Sequence, residues 1–386
     1  MYLVTNGRLI TRDPDGKGYY EHGAVAYEGS QIVEVGEESA LRAKYADAEI
    51  IDAKGGVIMP ALINAHTHIY SALARGLSIV GNNPTNFYEV LDGTWWAIDR
   101  HLMMDGTRAS ATALYMDSIK QGVTTIFDHH ASYGEIPGTL HTIAEESKRL
   151  GLRSCLCYEV SDRDGEEKCL QAIQENADFI SECEKNKDPM LAAMFGGHAL
   201  FTISDKTFDR MVEANNGRTG YHIHVSEGMN DVYDSLQNYG RRPVQRLQDH
   251  GILGEKTILG HCIHVNTAEM EIIKETGTMV VNNPESNMGN AIGICPVLQL
   301  HKRGILLGMG TDAYTNDMLE SLKVALCSQR SQNCLPNVGW CEVTDMLFKN
   351  NAKIGEKYFP ATLGVLKAGA AADIIVMDYK PFTPFS

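Results

Sequence analysis

The sequence predicts an α/β chain built on a closed, TIM-like (β/α)8 barrel, with a small composite β-sandwich formed by its N- and C-terminal segments. Three observations carry this expectation. Eight apolar strand-like runs alternate with amphipathic helical patterns from Val57 onward, the residues before Val57 lack helical periodicity, and strand-like texture returns after Asn350. Alternation of this kind demands parallel pairing, and eight strands is the number at which such a sheet closes. An open doubly wound sheet is the second reading, but no glycine-rich phosphate fingerprint follows the early strands.

The N-terminal β piece rests on runs at 2–4, 24–27 and 31–35, punctuated by Gly7, Gly23, Gly29 and Gly36. Barrel strands are expected at 57–65, 123–128, 153–158, 191–195, 221–225, 257–260, 278–281 and 305–308, each apolar enough for burial on both faces. Helices are expected at 105–121, 140–150, 205–215, 243–250 and 267–276, stopping at or near Gly122, Gly151, Gly217, Gly251 and Gly277. The stretch 74–104, which carries Trp95 and Trp96, is too long for an ordinary connection and reads as a lid over one end of the barrel. Runs at 364–369 and 372–378 rejoin the N-terminal β piece. The expected domains are therefore 1–56 with 360–386, and 57–359; the stop at Ser386 is early for a β module of this kind.

Composition narrows the function. With 34 Lys and Arg against 49 Asp and Glu, the formal charge of −15 repels a phosphate backbone, so no nucleic-acid partner is expected. No apolar run approaches the roughly 20 residues of a membrane helix, and the N-terminus lacks a basic region followed by an apolar one. Neither a membrane nor a secretory route is expected, and the location expected is cytoplasmic. The 9 cysteines are odd in number and scattered through apolar runs, as reduced buried thiols are.

The chemistry sits at the strand ends. His66-Thr67-His68 follows the first barrel strand, and a spacing of two puts both imidazoles on one side. His224 ends the fifth strand with Glu227 three residues on, His261 ends the sixth, and Asp312 follows the eighth. All lie at the carboxyl ends of strands, the face on which barrel active sites are built. Three neutral imidazoles and a carboxylate suit Zn²⁺, or Fe²⁺ as the second choice, with a position left open for water. His222 is a rival to His224 one layer deeper, and Glu227 favours His224.

These residues carry a resemblance. The run Met59-Pro60-Ala61-Leu62-Ile63-Asn64-Ala65-His66-Thr67-His68, with His224-Val225-Ser226-Glu227, Leu259-Gly260-His261-Cys262 and Thr311-Asp312-Ala313, resembles the metal-dependent amidohydrolase superfamily. The match is closest to its cyclic deaminase and chlorohydrolase-like branch. Trp95-Trp96-Ala97-Ile98-Asp99-Arg100, Phe127-Asp128-His129-His130 and Tyr158-Glu159-Val160-Ser161-Asp162-Arg163 are similar to the SsnA-type aminohydrolases within it.

The resemblance implies His66, His68, His224 and Asp312 as ligands of one divalent metal ion per chain, since the fourth strand has no lysine to bridge a second. It implies catalytic roles for Glu227 as proton shuttle, His261 as hydrogen-bond partner of the attacking hydroxide, and Asp312 as acceptor of its proton. His198, one of the pair His129 and His130 (His130 being taken), Arg75 and Trp95 are the candidate substrate contacts, with Asn283, Glu285 and Asn287 as further candidates for the pocket wall. The implied reaction is deamination of a small nitrogen heterocycle, a purine or oxidised purine, by metal hydroxide with release of ammonia, as in purine catabolism. Ring-opening of a cyclic amide, displacement of halide from a triazine, and a non-catalytic amidohydrolase-like binding protein are the alternatives. Members of such families are commonly homo-oligomers, dimers or larger.

Overall fold

The protein is described from a computed structural model, over residues 1–379 and Phe382. It divides into two compact units, Met1–Ile63 with the segment from Pro360 onward, and Asn64–Phe359.

In the first unit, strands β1 (Tyr2–Ile10), β2 (Tyr19–Glu28), β3 (Gln31–Glu37), β4 (Glu49–Asp52) and β5 (Val57–Pro60) join the C-terminal strand Ile374–Met377 in one mixed sheet. Register shifts around Gly7 bend β1, so its first half takes β4 along one edge and its second half takes β5. A Cβ at Gly7 would stand 2.8 Å from the Gly56 carbonyl, which is why the bend carries glycine. The split sheet makes a small β-sandwich filled by Leu9, Val25, Ile32, Ile58 and Leu366. Helix Glu38–Lys44 covers Leu3, Ala24 and Ala26 through Leu41.

Residues 57–60 were expected in the first barrel strand, and here the expectation is corrected. They pair with β1 and with Ile374–Met377, and the barrel strand proper starts at Leu62. The expected boundary at 56/57 accordingly lies too early. Residues 380–381 and 383–386 of the expected C-terminal segment lie outside the described residues.

The second unit holds the barrel. One sheet runs β6 (Leu62–Thr67), β7 (Val123–His130), β8 (Arg153–Tyr158), β9 (Leu191–Ala193); the other runs β10 (Phe195–Ala199), β11 (Tyr221–Val225), β12 (Ile258–His261), β13 (Met279–Asn282), β14 (Leu307–Met309). Only Met194 separates β9 from β10, so these are two halves of one strand. Bridges between Val160 and Gly197 and between Thr67 and Asp312 join the two sheets and close the ring. Pairing is parallel from β7 to β9 and from β10 to β14, as burial on both faces requires.

Local signals set the helices. Ser204 caps Asp205–Asn215 by accepting from the Thr207 amide, and Asn266 with Glu269 forms a capping box on Thr267–Glu275. Left-handed Gly151 (φ 79°) ends Thr139–Leu150. Helices Glu166–Asn186, Met229–Tyr239 and Met318–Asn333 add to those expected. The 74–104 stretch runs through turns into three successive helical pieces, Phe87–Val90, Leu91–Trp95 and Trp96–Asp99, the middle one a π-turn.

Candidate active site

The barrel strands deliver their last residues to one face. His66 is the last residue but one of β6 with His68 just beyond, His198 and His224 are the last but one of β10 and β11, His261 ends β12, and Asp312 follows β14. Backbone strain marks the same level: Ser226, His261, Cys262 and Asp312 are non-glycine residues at φ 49°, 67°, 50° and 56°. Left-handed positions of this kind cost on the order of 1 kcal/mol each and persist where the surroundings over-determine them. At Gly310 a Cβ would stand 2.6 Å from the His66 carbonyl, so glycine alone lets the end of β14 close against the strand that carries His66.

Ring nitrogens and carboxylate oxygens converge at the centre. The His68 Nε2 lies 2.9 Å from the Asp312 Oδ1, and 3.2 Å from the His224 Nε2. The His66 Nε2 lies 3.9 Å from the same Asp312 oxygen and, fully buried, has no hydrogen-bond partner among the described residues. The opposite edges of these rings are fixed by acceptors. His68 Nδ1 donates to the His129 carbonyl at 2.5 Å and His224 Nδ1 to the His198 carbonyl at 2.8 Å. His66 Nδ1 meets the His222 Nε2 at 2.8 Å, which places His222 one layer below the centre. Each ring thus turns its Nε2 inward, the arrangement that outer hydrogen bonds impose on metal-ligating histidines.

The orphaned His66 nitrogen and the donor set pass the test for one divalent ion. The groups that could hold a metal include His66 with His68 and Asp312, and His66 with His224 and His261. Burial, reinforced by neighbouring imidazoles, pulls His66 and His224 well below the usual histidine range, and a ligand must be neutral. His68 differs. Burial lowers it, but the hydrogen bond and charge of Asp312 outweigh burial and lift it to about 9, while Asp312 is held well below the carboxylate range.

Glu227 faces this centre. Its carboxyl lies 3.6 Å from the His261 Nε2, and burial, followed by the charges of Asp312, Asp231 and Glu159, pushes it well above the usual range. The His261 Nδ1 donates to the Asn287 Oδ1 at 2.8 Å, which leaves its Nε2 toward Glu227 and toward the Asp312 Oδ2 at 3.7 Å. Ser286 Oγ donates to that same Asp312 oxygen.

A cavity opens over the cluster, lined by His68, His198, His224, Glu227, Asp312, Ala313, Glu159, Ser286, Asn290, Tyr70, Phe87, Leu91 and Trp95. Phe87, Leu91 and Trp95 recur every four residues, so one face of the 87–99 helical run forms the cavity's apolar wall. Of the expected substrate contacts, His198 and Trp95 are there.

The other two are not. Arg75 pairs with Asp117 at 3.1 Å and donates to the Tyr314 carbonyl at 3.0 Å, and it does not line the cavity. An exposed pair of this sort is worth about 0–1 kcal/mol, so Arg75→Ala is expected to leave kcat/KM within about twofold of wild type in a steady-state assay. His130 is fully buried, away from the cavity lining, against the Tyr70 and Tyr158 rings. His129 does not line it either; its Nδ1 meets the Glu159 Oε1 at 3.0 Å and its Nε2 donates to the His222 carbonyl at 2.9 Å. Asn283 and Asn287 hold His261, and Glu285 accepts from Ser321, so the cavity wall here is Ser286 and Asn290. Glu159, Tyr70, Ser286 and Asn290 were not singled out from the sequence.

No helix among the described residues is long and apolar enough to cross a membrane. The model of the amidohydrolase family matches residues 57–386. The 5'-deoxyadenosine deaminase of Methanosarcina barkeri is 29% identical over 384 residues, 98% of this chain and 84% of that one. The 5-methylthioadenosine/S-adenosylhomocysteine deaminase of Thermococcus sibiricus is 30% identical over 359 residues, 92% of this chain and 80% of that one. The structure of an adenosine deaminase from Xanthomonas campestris with bound zinc shares the fold at a TM-score of 0.84 and 22% identity, covering 98% of this chain and 84% of the other. With the family's match running through the barrel and the strand-end cluster, the chain belongs to the amidohydrolase family, as a hydrolase acting on carbon–nitrogen bonds.

Proposed function

We propose that the chain is a zinc-dependent aminohydrolase that replaces an amino group on a small nitrogen heterocycle, a purine or oxidised purine, with oxygen from water and releases ammonia. The observation that carries the reading is the pairing, across one cavity, of an inward-facing three-imidazole and carboxylate cluster with the Glu227 carboxyl, whose burial favours its protonated form. His66, His68, His224 and Asp312 would hold one divalent ion, which when bound supplies an activated water at neutral pH. The relatives named above as deaminases support the reaction class, and the zinc in the related structure supports the metal.

The chain's own residues then divide the proton work. Asp312, ionised and held by Ser286, takes the proton of the attacking water. Glu227, whose burial among negative charges favours its protonated form, donates to the ring nitrogen beside the attacked carbon. It recovers a proton from the new oxygen and passes it to the departing amine, so the carbon–nitrogen bond breaks to ammonia and a ring carbonyl remains. His261, tethered by Asn287, presents its Nε2 to the same oxygen. Trp95, Leu91 and Phe87 stack over the ring and exclude bulk water.

The test is ammonia release from a panel of purines, pteridines and triazines by metal-analysed protein. Release from a purine supports the reading, whereas ring-opening or halide release without ammonia overturns it. The state of His68 adds a second expectation. Its proton, held to about pH 9 in the metal-free cluster, must leave when a metal binds. Below about pH 7, where the bound water would keep both its protons, binding of Zn²⁺ is expected to release about one proton per ion, so affinity rises with pH. Calorimetry in two buffers of different ionisation enthalpy measures that number directly.

A further inference from the structure

Glu159 is a buried carboxylate that the mechanism leaves unused. It stands immediately after β8, 2% exposed, and lines the cavity with His68 and His198. One oxygen is committed: Oε1 meets the His129 Nδ1 at 3.0 Å and lies 3.5 Å from the His68 Nδ1. The other is not. The Oε2 has no hydrogen-bond partner among the described residues, and the His198 Nε2 lies 4.0 Å from it. An ionised carboxylate oxygen accepts and never donates, so this cavity wall asks for a donor. Leaving such an oxygen unmatched on ligand binding costs far more than a missed contact at the surface.

Position decides where on the ligand that donor sits. An oxygen of Glu159 and ring nitrogens of His68, His129 and His224 lie within 4.8 Å of one another, so the carboxylate is at the depth of the metal cluster. The lid residues Phe87, Leu91 and Trp95 form the outer, apolar part of the wall. A heterocycle whose reacting carbon sits at the cluster therefore meets Glu159 with its own edge, and substituents on the ring point toward the mouth.

We propose that Glu159 is a specificity-determining residue that accepts a hydrogen bond from an N–H on the heterocycle itself, and so selects lactam or amino-substituted ring systems over rings whose matching edge carries only acceptors. This rests on the aminohydrolase reading for the orientation of the ring, and it narrows that reading to donor-bearing bases. The relatives above are named as deaminases of adenosine derivatives, so adenosine and its analogues are the comparison compounds.

The test separates binding from turnover. Affinities for pairs of purine bases that differ only by N–H against N–CH3 at successive ring positions, together with adenosine and its deoxy analogues, are measured on zinc-loaded wild type and Glu159→Gln by quenching of tryptophan fluorescence. Ammonia release is followed separately, and metal content is determined for both proteins. Wild type is expected to favour the N–H member of one pair by about 30-fold, the size of one hydrogen bond to a charged group, and Glu159→Gln with equal zinc is expected to lose most of that preference. A rise in KM with kcat little changed is the matching kinetic signature. If no pair is discriminated by wild type, if the variant discriminates equally, or if the preference is for a sugar hydroxyl, the assignment of Glu159 is overturned whether or not ammonia forms. If the preference behaves as expected and no ammonia appears, Glu159 stands and the aminohydrolase reading falls.

Discussion

His224→Ala is expected to remove the bound metal and lower kcat/KM by at least about 10⁴-fold, because the attacking water returns from a pKa near 7 toward that of bulk water. The physical reason lies in the ring's two edges. His224 Nδ1 is pinned to the His198 carbonyl at 2.8 Å, so the Nε2 has one orientation, toward the cluster. His222, two residues earlier on β11, is occupied with the His66 Nδ1, and its own Nδ1 has no hydrogen-bond partner among the described residues. It belongs to the layer that orients ligands, where substitutions cost about 10- to 100-fold in metal affinity and not the whole site. Elemental analysis beside kcat/KM distinguishes the two positions, with the fold checked by circular dichroism.

Glu227→Gln is the second large effect. The amide keeps the shape of the side chain and cannot pass a proton on, so kcat is expected to fall by about 10²–10⁴-fold while metal content stays that of wild type. The pH profile gives the sign. Burial and the nearby charges of Asp312, Asp231 and Glu159 raise the Glu227 carboxyl, so its protonated, donating form predominates below the raised value and is lost as pH climbs through it. Wild-type activity should therefore decline on the alkaline side by loss of that proton, and the Gln variant should lack that limb. Retention of the alkaline limb in the variant would assign it to another group.

Much of this arrangement was legible in the sequence because barrel geometry converts chain position into depth. A histidine pair at spacing two after an apolar run, and single histidines or an aspartate after three others, fall at one level once the strands are parallel and the ring is closed. His66, His68, His224, His261 and Asp312 meet for that reason. Trp95 was legible because a long connection that carries two tryptophans has to cover something, whereas the face it shares with Leu91 and Phe87 is a finding of the structure.

What was not legible depends on direction more than on position. His129 and His130 are neighbours on β7, so their side chains take opposite faces. One is spent on Glu159 and on carbonyls inside the barrel and the other is packed against Tyr158, which leaves neither for the cavity. Arg75 carries a long flexible stem, and whether its guanidinium reaches a ligand or Asp117 is decided by residues far along the chain. Glu159 is the first residue after the third strand, on the active face, and stands in the run 158–163 that carries the resemblance, but that run singles out no role for any one of its residues.

The fold shows the same division. The apolar run 57–65 reads as one strand, since nothing within it reveals that Val57–Pro60 takes its partners from β1 and from Ile374–Met377. Helix Glu166–Asn186 escaped notice because its buried face is built from Cys169, Ala172, Ile173, Phe179 and Ile180, where small residues weaken the apolar stripe although the spacing is helical.

The central claim is that one divalent ion, held by His66, His68, His224 and Asp312, makes this cavity a carbon–nitrogen hydrolase. The most direct measurement is to strip the protein of metal, add Zn²⁺ back in known equivalents, and follow ammonia release from the best purine of the panel. The account predicts a rate near zero without metal that rises linearly and breaks at about one equivalent per chain. A rate that is independent of metal, or one that breaks only at two equivalents, would contradict it.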